Sequence, residues 1–422
     1  MRRKANAEIL RYAQDDEPSC IRTLHQLEKC FRSFAYSRIL KPNIFLPLQR
    51  FMAARRISAM EPVTLTDRQM QSFRAELLSW FAQSARDLPW RRTHDPYCIW
   101  VSEVMLQQTR VAAVVDRYTQ FIHKFPSLVS LALANEADVL TLWSGLGYYR
   151  RARMLHSAAQ LLVREHGGSL PKSSAELRRL PGIGDYTAAA IASIAHGEPV
   201  AVVDGNVERV MLRLTGAEVG DKHLSATGLK EIASRFLAPD APGAFNQAMM
   251  ELGATVCLPR APLCASCPVQ AHCRTRGEHT ARPRKQMLSK KINYALVRKS
   301  LEGNGNSTAV LLARRPPSAS QMPGMWELPG LPAKGEDGNE PILRVRHSVT
   351  NTNYYVGVYA MDANNASQLA GSLSHAWISS KKLHEIPLTG LARKILMRLD
   401  VLAKPRQVRS GKALPGSPSI FI

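Results

Sequence analysis

The stretch LPGIGDYTAAAIASIAHGEPVAVVDGNVERV, residues 180–210, decides how the rest of the chain is read. It opens on Pro181-Gly182-Ile183-Gly184 and runs straight into TAAAIASIA, a segment of strong helix formers. Glycines ahead of a helix let the backbone approach a ligand closely and leave first-turn N–H groups pointing outward. Such a helix start takes phosphate without a side-chain charge, and it is equally a plain tight turn. Further along, Asp204 closes the apolar run Val200-Ala201-Val202-Val203 and precedes Gly205-Asn206. A carboxylate so placed is either a helix N-cap or a positioned catalytic group.

Composition narrows the function classes around this stretch. The 422 residues suffice for roughly two or three domains, each with its own core. Fifty-six Lys and Arg against 34 Asp and Glu leave a net charge of +22. That excess suits a polyanionic partner or a merely basic surface. No apolar run reaches the roughly 18 residues needed to span a bilayer, and no signal peptide opens the chain. No membrane partner is expected, and the protein is expected to be soluble and intracellular.

Residues 67–84 carry Met70, Phe73, Leu77, Trp80 and Phe81 at helical spacing. A loop, Arg86-Asp87-Leu88-Pro89-Trp90-Arg91, follows; Trp90 is a core residue or a stacking one beside Arg86 and Arg91. WVSEVMLQQT, from Trp100, starts a long helix running on through VAAVVDRYTQFIHKF. Glu103 lies among Trp100, Val101, Val104 and Leu106. In apolar surroundings a carboxyl resists ionising, which is what a general acid at neutral pH needs; an exposed glutamate on an amphipathic helix is the plainer reading. Gln107-Gln108-Thr109 puts amides and a hydroxyl inside an apolar helix, groups able to read base edges. Residues 127–166 read as two helices around WSGLGYY, residues 143–149, with Arg150, Arg151 and Arg153 following. Glycines, adjacent aromatics and arginines suit a loop that wedges into a duplex, or a helix–helix turn with core tyrosines. Helices are expected again over 205–217, 226–238 and 245–257, the last carrying Glu251.

Four of the seven cysteines form the run Cys257-x6-Cys264-x2-Cys267-x5-Cys273. So tight a cluster in a reducing compartment argues metal rather than disulfides. Four thiolates hold tetrahedral zinc or an iron–sulfur cube. The spacing resembles the [4Fe–4S] loop of endonuclease-III-like glycosylases. Residues 277–289 are polar, basic and read as a linker. INYALVRK, TAVLLARR and NYYVGVYA then look like strands and LTGLARKILMRL like a closing helix, an α+β domain over 290–400. Residues 401–422 read as a disordered tail. Residues 1–62 carry no motif; they are read as an extension preceding a true start near Met52 or Met60, or as a basic DNA-contacting arm.

Together LPWR, WVSEVMLQQT, WSGLGYYRRAR, LPGIGDYTAAAI, VDGNVERV, NQAMMELGATVC and the four cysteines resemble the adenine DNA glycosylases of the helix-hairpin-helix Gly/Pro-Asp superfamily, which remove adenine mispaired with 8-oxoguanine. The likeness covers about Ser72 to Arg274, and more weakly 292–398. It implies a mainly α fold, a two-module catalytic domain over 63–276 with its cleft between the modules, and one [4Fe–4S] cluster on Cys257, Cys264, Cys267 and Cys273. It further implies a monomer acting on double-stranded DNA with A:8-oxoguanine or A:G mispairs. By the same resemblance Glu103 protonates the adenine and Asp204 stabilises the sugar cation, while Asn206 and Tyr186 orient Asp204 and the sugar by hydrogen bonds. Arg86, Leu88, Trp90, Arg91, Leu106, Thr109 and Glu251 line the base pocket, Gln108 and Tyr148 fill the opened stack, and Gly182 and Gly184 hold the DNA backbone. Related lyases carry lysine where this chain has Tyr186, and a phenol forms no imine, so a monofunctional enzyme is expected.

The last domain resembles a Nudix-like module through RRPPSASQMPGMWELPG, but LPAKGEDGNEPIL lacks the glutamate set that binds Mg²⁺. A recognition domain without phosphohydrolase activity is expected. The family's Phe-Ser-His probe of the oxidised base is replaced here by Val349-Thr350-Asn351, leaving Thr350 and Asn351 to hydrogen-bond and weakening the expected preference for 8-oxoguanine over guanine.

Overall fold

The computed structural model describes residues 65–217, 226–278, 286–301, 308–332, 340–349, 351–369 and 374–403, all within the unit Thr64–Ile422. The expectations for residues 1–62, Thr350 and most of the tail lie outside the described residues. Among those described, no helix is long and apolar enough to cross a membrane.

Helix α1, Asp67–Ser84, begins at a reciprocal cap: Thr66 Oγ1 accepts the Gln69 N–H while Gln69 Oε1 accepts the Thr66 N–H. Helix α2, Pro96–Leu106, starts with Asp95 accepting the Tyr97 N–H at 2.8 Å and Pro96 where no helical N–H is needed. The long helix expected from Trp100 is broken. Gln107–Arg110 form a turn, and α3 is a separate helix, Val111–Lys124. The cause is distant in sequence: the Arg151 guanidinium takes the carbonyls of Val104, Met105 and Gln107. Residues 127–166 hold three helices rather than two: α4, Leu128–Ala132, α5, Glu136–Trp143, and α6, Arg150–Glu165. A Ser127–Ser130 capping box starts the extra short one. Helices α7, Ser174–Leu177, α8, Asp185–His196, α9, Gly205–Thr215, α10, Ala226–Phe236, and α11, Pro242–Thr255, complete the set before the cysteine loop.

These helices bury two cores. One gathers Trp100, Phe121, Trp143, Leu155 and Ile191 from α2, α3, α5, α6 and α8. The other gathers Phe73 and Leu77 of α1 with Met211 of α9, Phe236 of α10, Met249 of α11 and Val269 of the cysteine loop. Phe73 meets Phe236 edge-on, centroids 5.1 Å apart, a favoured aromatic geometry. The 180–210 stretch passes from one core to the other, α8 belonging to the first and α9 to the second. Ala189, Ala190 and Val202, with Tyr186 and Met250 against them, form the seam.

The following segment is a mixed sheet. Its strands are β1, Leu288–Ser300, β2, Thr308–Arg314, β3, Trp326–Glu327, β4, Gly330–Leu331, β5, Leu343–Val349, β6, Thr352–Met361, and β7, Ser374–Ser379. The order is β3-β2-β1-β6-β5, with β4 on β1 and β7 on β2. β1 and β6 run parallel, from Leu288 opposite Thr352 to Val297 opposite Met361, and the other pairs are antiparallel. Alternation puts Leu296, Val356 and Val358 on the face covered by α12, Gly390–Arg398. β1 starts at Leu288, inside the segment read as linker, because the Leu288 N–H bonds to the Asn351 carbonyl. The ordered chain also outlasts residue 400: Leu402 is buried in this core and its N–H bonds to the Leu396 carbonyl.

This part seats on the helical one through specific groups. Met325 is fully buried, 0% exposed, in the first helical core. Arg153 Nη2 donates to the Pro323 carbonyl at 2.6 Å. Ser144 Oγ and Tyr149 Oη both donate to the Leu388 carbonyl at 3.1 Å, and Arg393 Nε donates to Ser144 Oγ at 2.7 Å.

Candidate active site

A cleft of about 860 Å³ opens where the two helical cores meet. Glu103, Tyr186, Asp204 and Asn206 line it, as do Arg86, Leu88, Trp90, Arg91, Leu106, Gln108, Thr109, Gly182, Gly184 and Glu251. Tyr148 lies instead in an adjoining groove of about 450 Å³, shared with Gly182 and Gly184.

Glu103 sits mid-way along α2 and is only 5% exposed. Burial drives its carboxyl up to about 7; the Tyr186 hydrogen bond works against that rise, the Asp204 charge adds to it, and Arg91 opposes it. Tyr186, on the first turn of α8, donates its hydroxyl to Glu103 Oε2 at 2.5 Å and lies 3.4 Å from Met250 Sδ. Burial, with Glu103 and Asp204 nearby, raises the phenol well above its usual range, so it stays a donor. In this structure the Tyr186 hydroxyl donates to Glu103 rather than to Asp204, which it is expected to orient.

Asp204 is the helix N-cap its sequence allowed, and it also lines the cleft. Its Oδ1 accepts the N–H groups of Asn206 at 2.9 Å and Val207 at 2.7 Å, capping α9. Its Oδ2 accepts Asn206 Nδ2 at 2.9 Å. Three donors fix the carboxylate at the rim of the cleft, and the cap is the device that aims it. Asn206 is locked in turn, since its Oδ1 accepts Arg209 Nη2 at 2.9 Å. Arg209 also donates to the carbonyls of Gly253 and Cys257, at 2.7 and 2.9 Å. Helix α11 can come this near only because residue 253 is glycine; a Cβ there would lie 2.7 Å from Asn206 Cβ. Sequence reading gave Arg209 and Gly253 no role. Arg209 follows Asp204 by little more than one helical turn, and that spacing was the available signal.

Glu251 is 1% exposed and wholly engaged by arginines. Arg86 reaches it through Nε and Nη2, both at 2.7 Å, and Arg91 through Nη2 at 2.8 Å. Burial alone would raise this carboxyl; the arginine hydrogen bonds win and bring it to about 2. It borders the cleft as the anchor of two guanidinium groups. Trp90 resolves towards the core, edge-on to Tyr118 with centroids 5.4 Å apart, while one side still lines the cleft.

The hairpin before α8 keeps φ of +80° at Gly182, where a Cβ would meet Met154 Cβ at 2.7 Å. Only glycine fits such a place. Gly184 is extended, and no side chain caps the helix it begins. The first-turn N–H groups of α8 therefore face the cleft rim as a ready anion site.

The four cysteines are half-buried, and Cys257, Cys267 and Cys273 pack against the second core. Burial pushes the Cys267 thiol up to about 11, and proximity of Cys257, Cys273 and Cys264 adds to that rise, so the four sulfurs sense one another. Arg213 is buried, donates to Cys257 Sγ at 3.2 Å, and keeps a buried Nε with no hydrogen-bond partner. Among the described residues no three His, Cys, Asp or Glu side chains converge as they would on a single metal ion; a four-iron cube holds its thiolates farther apart than that. Asn351, at the β5–β6 turn, is exposed and does not line the cleft; Thr350 is outside the described residues.

A family model described as "HhH-GPD superfamily base excision DNA repair protein" matches residues 101–234. An adenine DNA glycosylase of Homo sapiens is 49% identical over 219 residues, 49% of this chain and 40% of that protein. One from Mycolicibacterium smegmatis is 44% identical over 204 residues, 48% of this chain and 69% of that protein. The match thus spans less than half the length of the human relative. Among solved structures, a thermostable thymine-DNA glycosylase is 28% identical with a TM-score of 0.46, covering 50% of this chain and 97% of that one.

Proposed function

Because the chain belongs to the adenine DNA glycosylase family, we propose that it hydrolyses the N-glycosidic bond of adenine mispaired with 8-oxoguanine or guanine in duplex DNA. The observation that carries the reading is that Glu103, buried with its carboxyl driven up to about 7, and Asp204, fixed by three donors, open on the same cleft.

The substrate adenosine must leave the stack to reach that cleft. Glu103 then gives its proton to a ring nitrogen of the adenine. The N-glycosidic bond breaks and its electron pair departs with the neutral base. Positive charge develops on the sugar, and the Asp204 carboxylate on its other face stabilises or captures it. Glu103, now a carboxylate hydrogen-bonded by Tyr186, takes a proton from the water that completes hydrolysis. No amine stands at Tyr186, so no imine forms and an abasic site is left; borohydride trapping is expected to fail.

Cys257, Cys264, Cys267 and Cys273 would hold one [4Fe–4S] cluster. The unpartnered Nε of Arg213 beside Cys257 supports an anionic group there. When bound, the cluster supplies no bond-making step in this scheme and ties the basic loop to the second core. The sheet region is read as a Nudix-like recognition module without phosphohydrolase activity, with Thr350 and Asn351 as its candidate contacts to the base opposite adenine. The protein is read as a cytoplasmic, nucleoid-associated monomer.

The test is incubation with duplexes carrying A:8-oxoguanine, A:G or thymine glycol, then hot alkali. Cleavage at adenine in the first two is the expected result. Cleavage at thymine glycol alone, or a break without alkali, would overturn the reading.

A further inference from the structure

We infer that Arg151 is the positioning residue that fixes Gln108 and Tyr148 as a pair, so that both side chains are presented together to an opened base stack. This rests on the base-extruding role proposed above.

Gln108 and Tyr148 share an uncommon property. Each has a Cβ yet takes positive φ, +54° and +48°, a conformation L side chains rarely adopt without support. They belong to different turns, one between α2 and α3, the other between α5 and α6, forty positions apart in the chain. Arg151 grips both turns. Its Nη1 donates to the carbonyls of Val104 at 2.7 Å, Met105 at 3.0 Å and Gln107 at 2.5 Å. Its Nη2 donates to Thr109 Oγ1 at 3.0 Å and to the carbonyls of Leu146 at 3.3 Å and Gly147 at 3.2 Å. Gln108 is thus held by the residues on either side of it, and Tyr148 by the two that precede it.

The charge of this guanidinium is met by the carbonyl end of α2, where a helix carries partial negative charge. Its carbon also lies 5.5 Å from the ring centroids of Tyr148 and Trp143, within cation–π reach. Tyr148 is nevertheless 43% exposed beside the Gly182–Gly184 hairpin. One side of its ring is backed and the rest is open to a base. A planar fork is needed to reach six oxygens in two directions, so lysine does not substitute.

The experiment uses the full chain as purified, with duplexes carrying 2-aminopurine beside the mispair, whose fluorescence rises on unstacking. Arg151→Gln and Arg151→Lys are expected to lower both the fluorescence rise on binding and the single-turnover excision rate by about tenfold, within the range of coupled contacts. The cycle with Gln108→Ala/Tyr148→Ala is decisive. If Arg151 acts through those two side chains, adding Arg151→Gln to that double variant changes the fluorescence rise by less than about twofold. An undiminished further loss, or a wild-type rise in Arg151→Gln, overturns the inference. Should Arg151→Gln fail to fold, Thr109→Val removes the Arg151 bond to Thr109 Oγ1 together with that hydroxyl's bonds to the Gln107 and Leu146 carbonyls; it is expected to lower the rise about twofold to threefold, and no change overturns the inference. A wild-type fluorescence rise without excision would sink the activity reading and leave the clamp intact; normal excision indifferent to Arg151 would sink the clamp alone.

Discussion

Tyr186 donates its hydroxyl to Glu103 Oε2 across 2.5 Å, joining the first turn of α8 to the middle of α2. The bond favours the carboxylate form of an acid that burial holds at about 7. The proposed glycosylase step needs the protonated form, so on that reading the rate is expected to hold below about pH 7 and fall as pH rises through it. Tyr186→Phe removes a lowering influence, and the alkaline limb should move up by about one unit. Single-turnover rates between roughly pH 5 and 9 check this; a downward move would refute the role given to the bond. Stability follows the same sign: the folded pKa is raised from 4.5 to about 7, so the contribution is whole below 4.5 and lost as pH rises through about 7. Glu103→Gln should abolish excision, leave mispair binding largely intact and flatten that pH dependence in urea unfolding.

Asp204 offers a separation of folding from chemistry. Asparagine can still accept the Asn206 and Val207 N–H bonds through its one oxygen. The Asn206 Nδ2 donor would then face an amide NH2, so Asp204→Asn is expected to cost about 1 kcal/mol of stability while lowering excision by at least about a thousandfold. Asp204→Ala should add the loss of the cap, about 1 kcal/mol. Urea midpoints measured beside rates decide it; an Asp204→Asn protein with near wild-type turnover would remove this residue from the mechanism.

Glu251 is expected to matter for stability before chemistry. Its carboxyl, which burial alone would raise, is brought to about 2 by Arg86 and Arg91. Its contribution is therefore present above 4.5 and lost as pH falls through about 2. Glu251→Gln leaves two guanidinium groups short of a charge and should cost about 3 kcal/mol, seen as a lower Tm at neutral pH and a weaker dependence on acid. An unchanged Tm would show that the pair of arginines finds another anion.

The two hairpin glycines should behave differently. Gly182→Ala sets a Cβ against Met154 in left-handed backbone, and about 1–3 kcal/mol of strain is expected. Gly184→Ala meets nothing within 4 Å in an ordinary extended conformation. Its fold should survive, while the methyl enters the space assigned to a DNA phosphate and weakens binding about fivefold. Thermal melts and salt-dependent DNA titrations separate the two; equal loss of stability would contradict the account.

What the sequence disclosed follows from range. The hairpin, the Asp204 cap and the helix over 67–84 are local patterns, and each appears where its residues imply. The turn at Gln107–Arg110 was read as helix because the arginine that breaks it lies far along the chain. The commitment of Tyr186 to Glu103 rather than Asp204 depends on how α8 crosses α2, which no spacing encodes. Arg209 stood in the quoted stretch without a role, because what it grips lies on α11 and the cysteine loop. Leu402 fell in a stretch whose polar composition hid one buried apolar side chain.

Met325 carries a consequence for dissecting the molecule. A methionine from the sheet half completes the oily interior of the helical half, at a burial worth about 1.5–3 kcal/mol. A fragment trimmed after residue 276 would keep every acid and every cysteine and still present an open socket where that thioether belongs. Weak catalysis by such a fragment would report a loosened scaffold as much as the loss of the proposed recognition domain, and a Met325→Ala full-length protein is the control that tells these apart.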